Sequence, residues 1–210
     1  IDAAADDPVQ VRKFTARLAA EAQRLAGLTS RIMDLSRVQA AEELTTAGPV
    51  SIDEVITTSL EAHVVQAESA EVELVRGGQR SAQVVGDVQM LTEAVSNLIA
   101  NAIAYSPAGA HVGVGVRTID GIVEIAVTDQ GIGIAEADQQ RIFERFYRAD
   151  QARSRRTGGT GLGLAIVKHV AQRHDGEVRL WSQPGRGSTF TLRIPEGGPV
   201  APPQNRSNLS

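Results

Sequence analysis

The stretch Asp129-Gln130-Gly131-Ile132-Gly133 decides the fold of this 210-residue chain. It follows an alternating apolar run at residues 122–127, which predicts a β-strand, so the Asp129 carboxylate is expected at a strand end. Gly131 and Gly133 let the backbone bend away sharply after that strand. A carboxylate fixed above a glycine turn suits one amino group, such as the exocyclic amine of adenine.

A second glycine cluster, Gly158-Gly159-Thr160-Gly161-Leu162-Gly163-Leu164, runs directly into a helical pattern at residues 165–170. A glycine loop that opens a helix presents backbone N–H groups to phosphate oxygens. A site for a base at one motif and for phosphates at the other indicates a nucleotide-binding domain.

Two asparagines, Asn97 and Asn101, are four residues apart on the helix that Asp87 is expected to open, so both face the same way. Mg²⁺ takes oxygen ligands, few of them from protein, and one amide oxygen is enough. Asn101 is the expected metal ligand. Asparagine pairs on helices are common, and this pair is informative because its helix precedes the strands that lead to Asp129.

Composition limits the classes of function. The net charge is −4 and the sequence pI is about 5.6, which gives no electrostatic footprint for nucleic acid or an anionic membrane. With no cysteine there is neither a disulfide framework nor a thiolate metal site, as expected for a cytoplasmic segment. No apolar run is long enough to span a bilayer and nothing resembles a signal peptide. Because the first residue is Ile1 and not Met, we expect a piece of a longer protein.

Residues 8–44 have apolar side chains at spacings of three and four, which predicts one long amphipathic helix. Such a helix cannot bury its apolar stripe against itself, so it needs a helical partner. The alternative is that it lies along its own domain.

After Gly48-Pro49 the patterns become those of a compact α/β domain at residues 48–195. A hairpin turn is expected at Asp120-Gly121, and residues 148–159, polar and without periodicity, are expected to form a mobile lid. Residues 196–210 are expected to be disordered. The expected helices are at residues 51–68, from residue 87, and at 162–173, with a short amphipathic segment around residues 142–147. The expected strands are at residues 72–75 and 82–85 around a Gly77-Gly78 turn, and at 112–118, 122–127, 177–181 and 188–194.

Five motifs, in the right order, resemble those of bacterial sensor histidine kinases. They are Asn97-Leu98-Ile99-Ala100-Asn101-Ala102 (N box), the Asp129 stretch (G1 box), Phe143-Glu144-Arg145-Phe146-Tyr147-Arg148 (F box), Gly159-Thr160-Gly161-Leu162-Gly163-Leu164 (G2 box) and Gly185-Arg186-Gly187-Ser188-Thr189-Phe190. The F and G2 boxes are similar to those of actinobacterial kinases of the phosphate-sensing type.

The resemblance implies an α+β fold: a two-layer α/β sandwich of the Bergerat ATP-binding type, with a mixed sheet and helices on one face, preceded by a long amphipathic helix. It also implies that residues 1–47 hold the second helix of a dimerisation and phosphotransfer hairpin.

The same resemblance implies roles for individual residues in binding ATP and Mg²⁺. Asp129 would bind the adenine amine, Gly131 and Gly133 would admit the base, and Tyr105 would lie near the nucleotide. Asn101 would hold Mg²⁺ and Asn97 would contact phosphate, which makes these two the catalytic pair. Four further residues would surround the triphosphate: Gly159, Gly161, Leu162 and Gly163. Two would anchor the lid: Phe143 and Phe146.

The implied activity is transfer of the ATP γ-phosphoryl group to a histidine upstream of Ile1 and then to an aspartate of a response regulator. The full-length protein would be a homodimer anchored in the membrane, without a nucleic-acid partner, whereas this piece would dimerise weakly or not at all. The four histidines present are in no phosphoacceptor context, and we interpret them as surface or structural residues: His63, His111, His169 and His174. Ala104 stands where the family often has a lysine, so Arg145, Arg148 or another lid arginine is expected to replace that cation.

Other readings stay open. ATP-hydrolysing relatives of this fold carry a glutamate where this chain has Asn97, which cannot act as a base, so a pure ATPase is disfavoured. A nucleotide-sensing helical interaction module is another possibility, and a serine kinase of the same fold would not require the long helix. A P-loop is excluded because no Gly-Lys-Ser/Thr sequence occurs, and the Gly159 cluster lacks the Rossmann spacing.

Overall fold

The structure is a computed structural model that describes residues 47–149 and 160–197. The helix expected at residues 8–44, most of the expected lid and most of the expected tail lie outside the described residues. The helices are α1 (Ile52–Glu61), α2 (Val64–Ser69), α3 (Val88–Tyr105), α4 (Glu136–Gln139) and α5 (Gly163–Arg173), with a 3-10 turn at Arg141–Phe143. The strands are β1 (Gly48–Ser51), β2 (Glu73–Gly78), β3 (Gln83–Gly86), β4 (His111–Ile119), β5 (Ile122–Thr128), β6 (Glu177–Gln183) and β7 (Gly187–Pro195).

Five strands form one mixed sheet in the order β2-β4-β5-β7-β6. The β2–β4 pair is parallel, and the other three neighbouring pairs are antiparallel. Strands β1 and β3 form a separate antiparallel pair. The two hairpins β4–β5 and β6–β7 confirm the sequence prediction, including the turn at Asp120-Gly121.

The helices α1, α3 and α5 pack together over one face of the five-stranded sheet, where α3 touches the central strands. Alternate residues of each strand point into this layer, as the period of two requires. The core is aliphatic, with fully buried examples at Ile52, Leu98, Ile125, Val167 and Leu192. The expected two-layer α/β sandwich is therefore confirmed.

Side-chain caps fix the starts of α1 and α3. The Ser51 hydroxyl accepts the Glu54 N–H at 3.4 Å at the start of α1. The Asp87 carboxylate accepts the N–H groups of Gln89 and Met90 at 2.8 and 3.0 Å at the start of α3. Such caps satisfy N–H groups that have no partner within the helix.

Two sequence predictions were wrong in detail. The helix expected at residues 51–68 is broken into α1 and α2 at Ala62 and His63. The glycines Gly77 and Gly78 do not form a turn between paired strands: they end β2, which pairs with β4, while β3 pairs with β1. Gly78 has φ +79°, and a Cβ there would lie 2.2 Å from the Val116 carbonyl oxygen, so the close approach to β4 requires this glycine.

Across residues 47–149 and 160–197, no helix combines the length and the apolar character needed to cross a membrane.

Candidate functional site

The first wall of the site is one face of α3. Four residues on it line a cavity of about 750 Å³: Asn97, Asn101, Ala104 and Tyr105. Their spacings of three, four and one place them on adjacent turns of the same helix face. The Asn97 amide is oriented by a hydrogen bond that its nitrogen donates to the Glu93 carbonyl at 3.0 Å.

Asp129 lies at the floor of this cavity, directly after β5, and its residue is 7% exposed. Its Oδ1 atom accepts the N–H groups of Gly131 at 2.8 Å and Ser188 at 3.1 Å. Burial raises the pKa of the Asp129 carboxyl above its ordinary value, although the hydrogen bonds from Gly131 and Ser188 act in the opposite direction. The carboxylate is thus held in one orientation at a strand end, as the sequence predicted.

The glycines of the G1 box are required by close packing. A Cβ on Gly131 would lie 2.5 Å from the Tyr105 carbonyl oxygen, so this turn packs against the end of α3. Gly133 has φ +68°, and a Cβ there would lie 2.0 Å from the Gln183 carbonyl oxygen. Gly133 lines the cavity, whereas Gly131 does not line it and packs against the end of α3.

The second glycine cluster closes the opposite side, at the start of α5. Gly161 and Gly163 line the cavity, and a Cβ on Gly163 would lie 2.9 Å from the Asn97 Oδ1 atom. Leu162 does not line the cavity: it is 4% exposed and belongs to the core, and its N–H donates to the Thr160 hydroxyl at 3.3 Å. Gly159 lies outside the described residues.

The two F-box phenylalanines lie beside the cavity and do not line it. Phe143 packs edge-on against Phe190, with ring centroids 6.3 Å apart, and Phe190 is the one that lines the cavity. Phe146 has a 56% exposed side chain and φ +64°, and its N–H donates to the Gly161 carbonyl at 2.9 Å. This bond joins the chain before residues 150–159 to the chain after them.

Several lining residues were not singled out from the sequence. Tyr147 lines the cavity, and its hydroxyl donates a hydrogen bond to Asp138 at 2.6 Å. This hydrogen bond and burial both raise the pKa of the Tyr147 phenol. Ser188 was visible only as part of a glycine motif, and Arg148 only as a possible replacement for the lysine. The far end of the cavity is lined by His63, Gln66, Glu93 and Ser96, for which no local sequence signal exists.

Three of the four histidines have structural or surface environments. His174 is fully buried, and burial lowers its pKa below the ordinary value. His169 is partly buried, and its pKa is lowered by burial and by the nearby Arg173 and Arg145. His111 is exposed and lies 3.0 Å from the Glu73 carboxylate. His63 is the one that lines the cavity.

The sandwich and its glycine-bounded cavity define an ATP-binding α/β domain. The family described as histidine kinase-, DNA gyrase B- and HSP90-like ATPase matches residues 86–198. The chain is 52% identical over 194 residues to the sensor-like histidine kinase SenX3 of Mycolicibacterium smegmatis, which covers 92% of this chain and 50% of that protein. It is 34% identical over 178 residues to the sensor histidine kinase WalK of Bacillus subtilis, covering 83% of this chain and 29% of WalK.

Solved structures agree with this assignment. The mycobacterial sensor histidine kinase MprB is 36% identical with a TM-score of 0.63, and the match covers 73% of this chain and 99% of that one. Full-length ShkA, solved in complex with AMPPNP, is 26% identical with a TM-score of 0.75 over 90% of this chain and 40% of ShkA. The chain belongs to the histidine kinase-, DNA gyrase B- and HSP90-like ATPase family, and within it to the sensor histidine kinases. It spans about half the length of the SenX3 protein.

Proposed function

We propose that the cavity binds ATP with the adenine at Asp129 and the phosphates between α3 and the second glycine cluster. The observation that carries this orientation is the Asp129 carboxylate, buried and fixed through Oδ1 by two backbone N–H groups. The other oxygen, Oδ2, is then the acceptor for the exocyclic amine. Gly133 and Ile132 line the cavity beside it.

The phosphates would lie where Asn97 and Gly163 face each other. Gly163 approaches the Asn97 amide so closely that an added Cβ would lie 2.9 Å from Oδ1 and would displace the amide. Backbone N–H groups at Gly161 and Gly163 then lie near the positive end of α5, which favours anions. Arg148 lines the same cavity and supplies a cation, whereas Ala104, at the position where the family often has a lysine, supplies none.

The donor set fits one Mg²⁺ ion carried by the nucleotide. Asn101 offers an amide oxygen on the cavity wall, one turn from Asn97. Among residues 47–149 and 160–197, no group of three or more His, Cys, Asp or Glu side chains could hold a metal. Asn101 would therefore be the protein ligand, with phosphate oxygens and water completing the shell of an ion that neutralises phosphate charge when bound.

The chemistry is phosphoryl transfer to a histidine. Such transfer depends mainly on positioning and charge neutralisation, which asparagines and backbone N–H groups can supply. Asn97 cannot take a proton from water, so the site favours a nucleophile brought by another element over hydrolysis. We propose that this element is a helix preceding Ile1, in a homodimeric, membrane-anchored protein. The phosphoryl group would pass on to an aspartate of a response regulator, as the resemblance to sensor histidine kinases implies.

The orientation is tested by titrating Mg-ATP into Asp129→Asn. Because a hydrogen bond to a charged group is worth about 1.5–3 kcal/mol, the affinity should fall at least about tenfold. Asp120→Asn is the matched control: it removes the same charge at an exposed hairpin turn whose φ of +51° asparagine tolerates. Unchanged affinity in Asp129→Asn would show that the adenine does not bind there.

The reaction is tested with a longer form of the protein that includes the segment before Ile1, incubated with γ-labelled ATP and Mg²⁺. Acid-labile, base-stable label on the protein is the expected result. Label released only as free phosphate would identify an ATPase instead and would contradict the role of Asn97.

A further inference from the structure

His63 lies at the break between α1 and α2 and lines the far end of the nucleotide cavity. Its backbone has φ −111° and ψ 4°, outside the helical values, and its N–H donates to the Leu60 carbonyl at 3.0 Å. The break therefore turns the chain at this residue. A histidine inside an unbroken helix at residues 51–68 would have helical φ and ψ values instead.

The ring is fixed in one orientation. Its Nδ1 atom lies 2.8 Å from the Ser59 carbonyl oxygen. Because a carbonyl only accepts, Nδ1 carries a proton and donates it. Nε2 is then the ring nitrogen left to make a contact in the cavity.

The anchor of His63 is rigid. Ser59 is fully buried, and its hydroxyl donates to the Val55 carbonyl at 2.8 Å and approaches the Thr92 carbonyl at 3.3 Å. Thr92 precedes Glu93, whose carbonyl accepts from Asn97. A short series of hydrogen bonds thus ties the imidazole to the same turn of α3 that orients Asn97.

The order of residues along α3 locates His63 relative to a bound nucleotide. Tyr105 is at the Asp129 end, since its carbonyl packs against Gly131. Asn101 and then Asn97 follow, and Glu93 lies one further turn away. At about 1.5 Å per residue, the stripe from Tyr105 to Glu93 is about 18 Å long. With adenine at Asp129, its far end is where the last phosphate of the nucleotide arrives.

We propose that His63 recognises the terminal phosphate of ATP through a hydrogen bond donated by its Nε2 atom. This inference rests on the proposed function and adds to it a residue that distinguishes a triphosphate from a diphosphate. His63 is therefore a specificity residue for the phosphoryl donor.

His63 shares this end of the cavity with Glu93 of α3 and Gln66 of α2. A terminal phosphate that arrives here needs a hydrogen-bond donor. The imidazole, already held by the Ser59 carbonyl, offers one with little loss of side-chain freedom on binding.

Two variants separate the nitrogens of the ring. His63→Asn keeps an amide nitrogen at the position of Nδ1 and so preserves the bond to Ser59, but it removes the donor at Nε2. His63→Gln places its amide nitrogen where Nε2 lies. Affinities for Mg-ATP and Mg-ADP are measured by calorimetry on the full chain, with thermal melts to verify folding. His111→Asn, at an exposed strand position outside the cavity lining, is the control.

We expect His63→Asn to lose about tenfold in Mg-ATP affinity with Mg-ADP affinity unchanged, because a charged hydrogen bond is lost only with the triphosphate. His63→Gln should lose less than His63→Asn, because it keeps a donor at the Nε2 position although it gives up the bond to Ser59. Equal losses for ATP and ADP would indicate a structural role and overturn the inference, as would equal losses of ATP affinity in both variants. If Asp129→Asn weakens both nucleotides while His63→Asn changes neither, the proposed function stands and this inference falls. If the unsubstituted chain binds neither nucleotide, both fall.

Discussion

Asp129 and Ser188 are 59 residues apart in the sequence, yet two hydrogen bonds join them. The Asp129 N–H donates to the Ser188 carbonyl at 2.8 Å, and the Ser188 N–H donates to the Asp129 Oδ1 at 3.1 Å. The first bond extends the pairing of β5 with β7, and the second orients the carboxylate. The position of the proposed adenine acceptor is thus set by the sheet itself and not by a loop.

Binding of adenosine should weaken at acidic pH. Burial raises the pKa of Asp129, and only the ionised carboxylate accepts from the amine without a competing proton. Affinity should be constant above that raised pKa and fall as the pH drops through it, at a higher pH than an ordinary aspartate would give. Adenosine is the probe because it has no phosphate to titrate.

The comparison that isolates this effect is Asp129→Asn, which has no carboxyl to protonate at this position. Its weaker affinity should show a flatter pH profile. Profiles of the same shape in both proteins would assign the pH dependence to another group.

Much of the site could be predicted from sequence because its motifs are local. Asp129 follows its strand, and Asp87 caps its helix, through residues only a few positions away. Asn97 and Asn101 face one way because a helix has 3.6 residues per turn. Each of these features needs only the period of one element and a turn or cap next to it.

The rest depends on contacts between distant segments. Nothing near Gly77 or Gly78 in the sequence shows that β2 pairs in parallel with β4, and a glycine pair is usually a turn. Ser188 gains its role from the β5–β7 register, and His63 from the packing of α1 on α3. Leu162 is in the core although glycines that line the cavity flank it.

Gly133→Ala should be much more destabilising than Gly121→Ala. Both glycines have positive φ, +68° and +73°, so the backbone penalty of about 1–2 kcal/mol is shared. A Cβ on Gly133 would lie 2.0 Å from the Gln183 carbonyl oxygen, whereas a Cβ on Gly121 meets nothing within 4 Å. Urea unfolding should therefore show a further loss in Gly133→Ala. Equal losses would mean that the backbone relaxes away from Gln183 without cost.

Gly163→Ala should impair nucleotide binding more than stability. The added Cβ would lie 2.9 Å from the Asn97 Oδ1, so the amide proposed to contact phosphate must move. The Asn97 amide is the end of a flexible side chain and can shift, so the folded state should lose little stability. Mg-ADP affinity should fall severalfold while the urea midpoint changes little.

Gly113→Ala is the control for this prediction, because a Cβ on that strand residue meets nothing within 4 Å. It should bind nucleotide as the unsubstituted chain does. If Gly163→Ala also binds normally, the distance between Gly163 and Asn97 is not important for the phosphates.

The domain should become less stable at acidic pH because of His174. This fully buried ring accepts the Asp87 N–H at Nε2 (3.1 Å), and its Nδ1 lies 2.8 Å from the Val170 carbonyl, so it is neutral when folded. Burial lowers its pKa, so the unfolded chain takes up a proton at a higher pH than the folded chain does. The free energy of unfolding should be insensitive to this group above the ordinary histidine pKa of about 6.5. It should decrease as the pH falls below that value, by up to about 1.4 kcal/mol per pH unit, and level off below the folded pKa.

His169, whose pKa is also lowered, acts in the same direction, so the difference between the unsubstituted chain and His174→Gln isolates His174. That difference should shrink as the pH falls, and an NMR titration of the His174 ring should show it neutral over the same range. Parallel stability curves, or a ring that titrates at or above the ordinary value, would contradict the prediction.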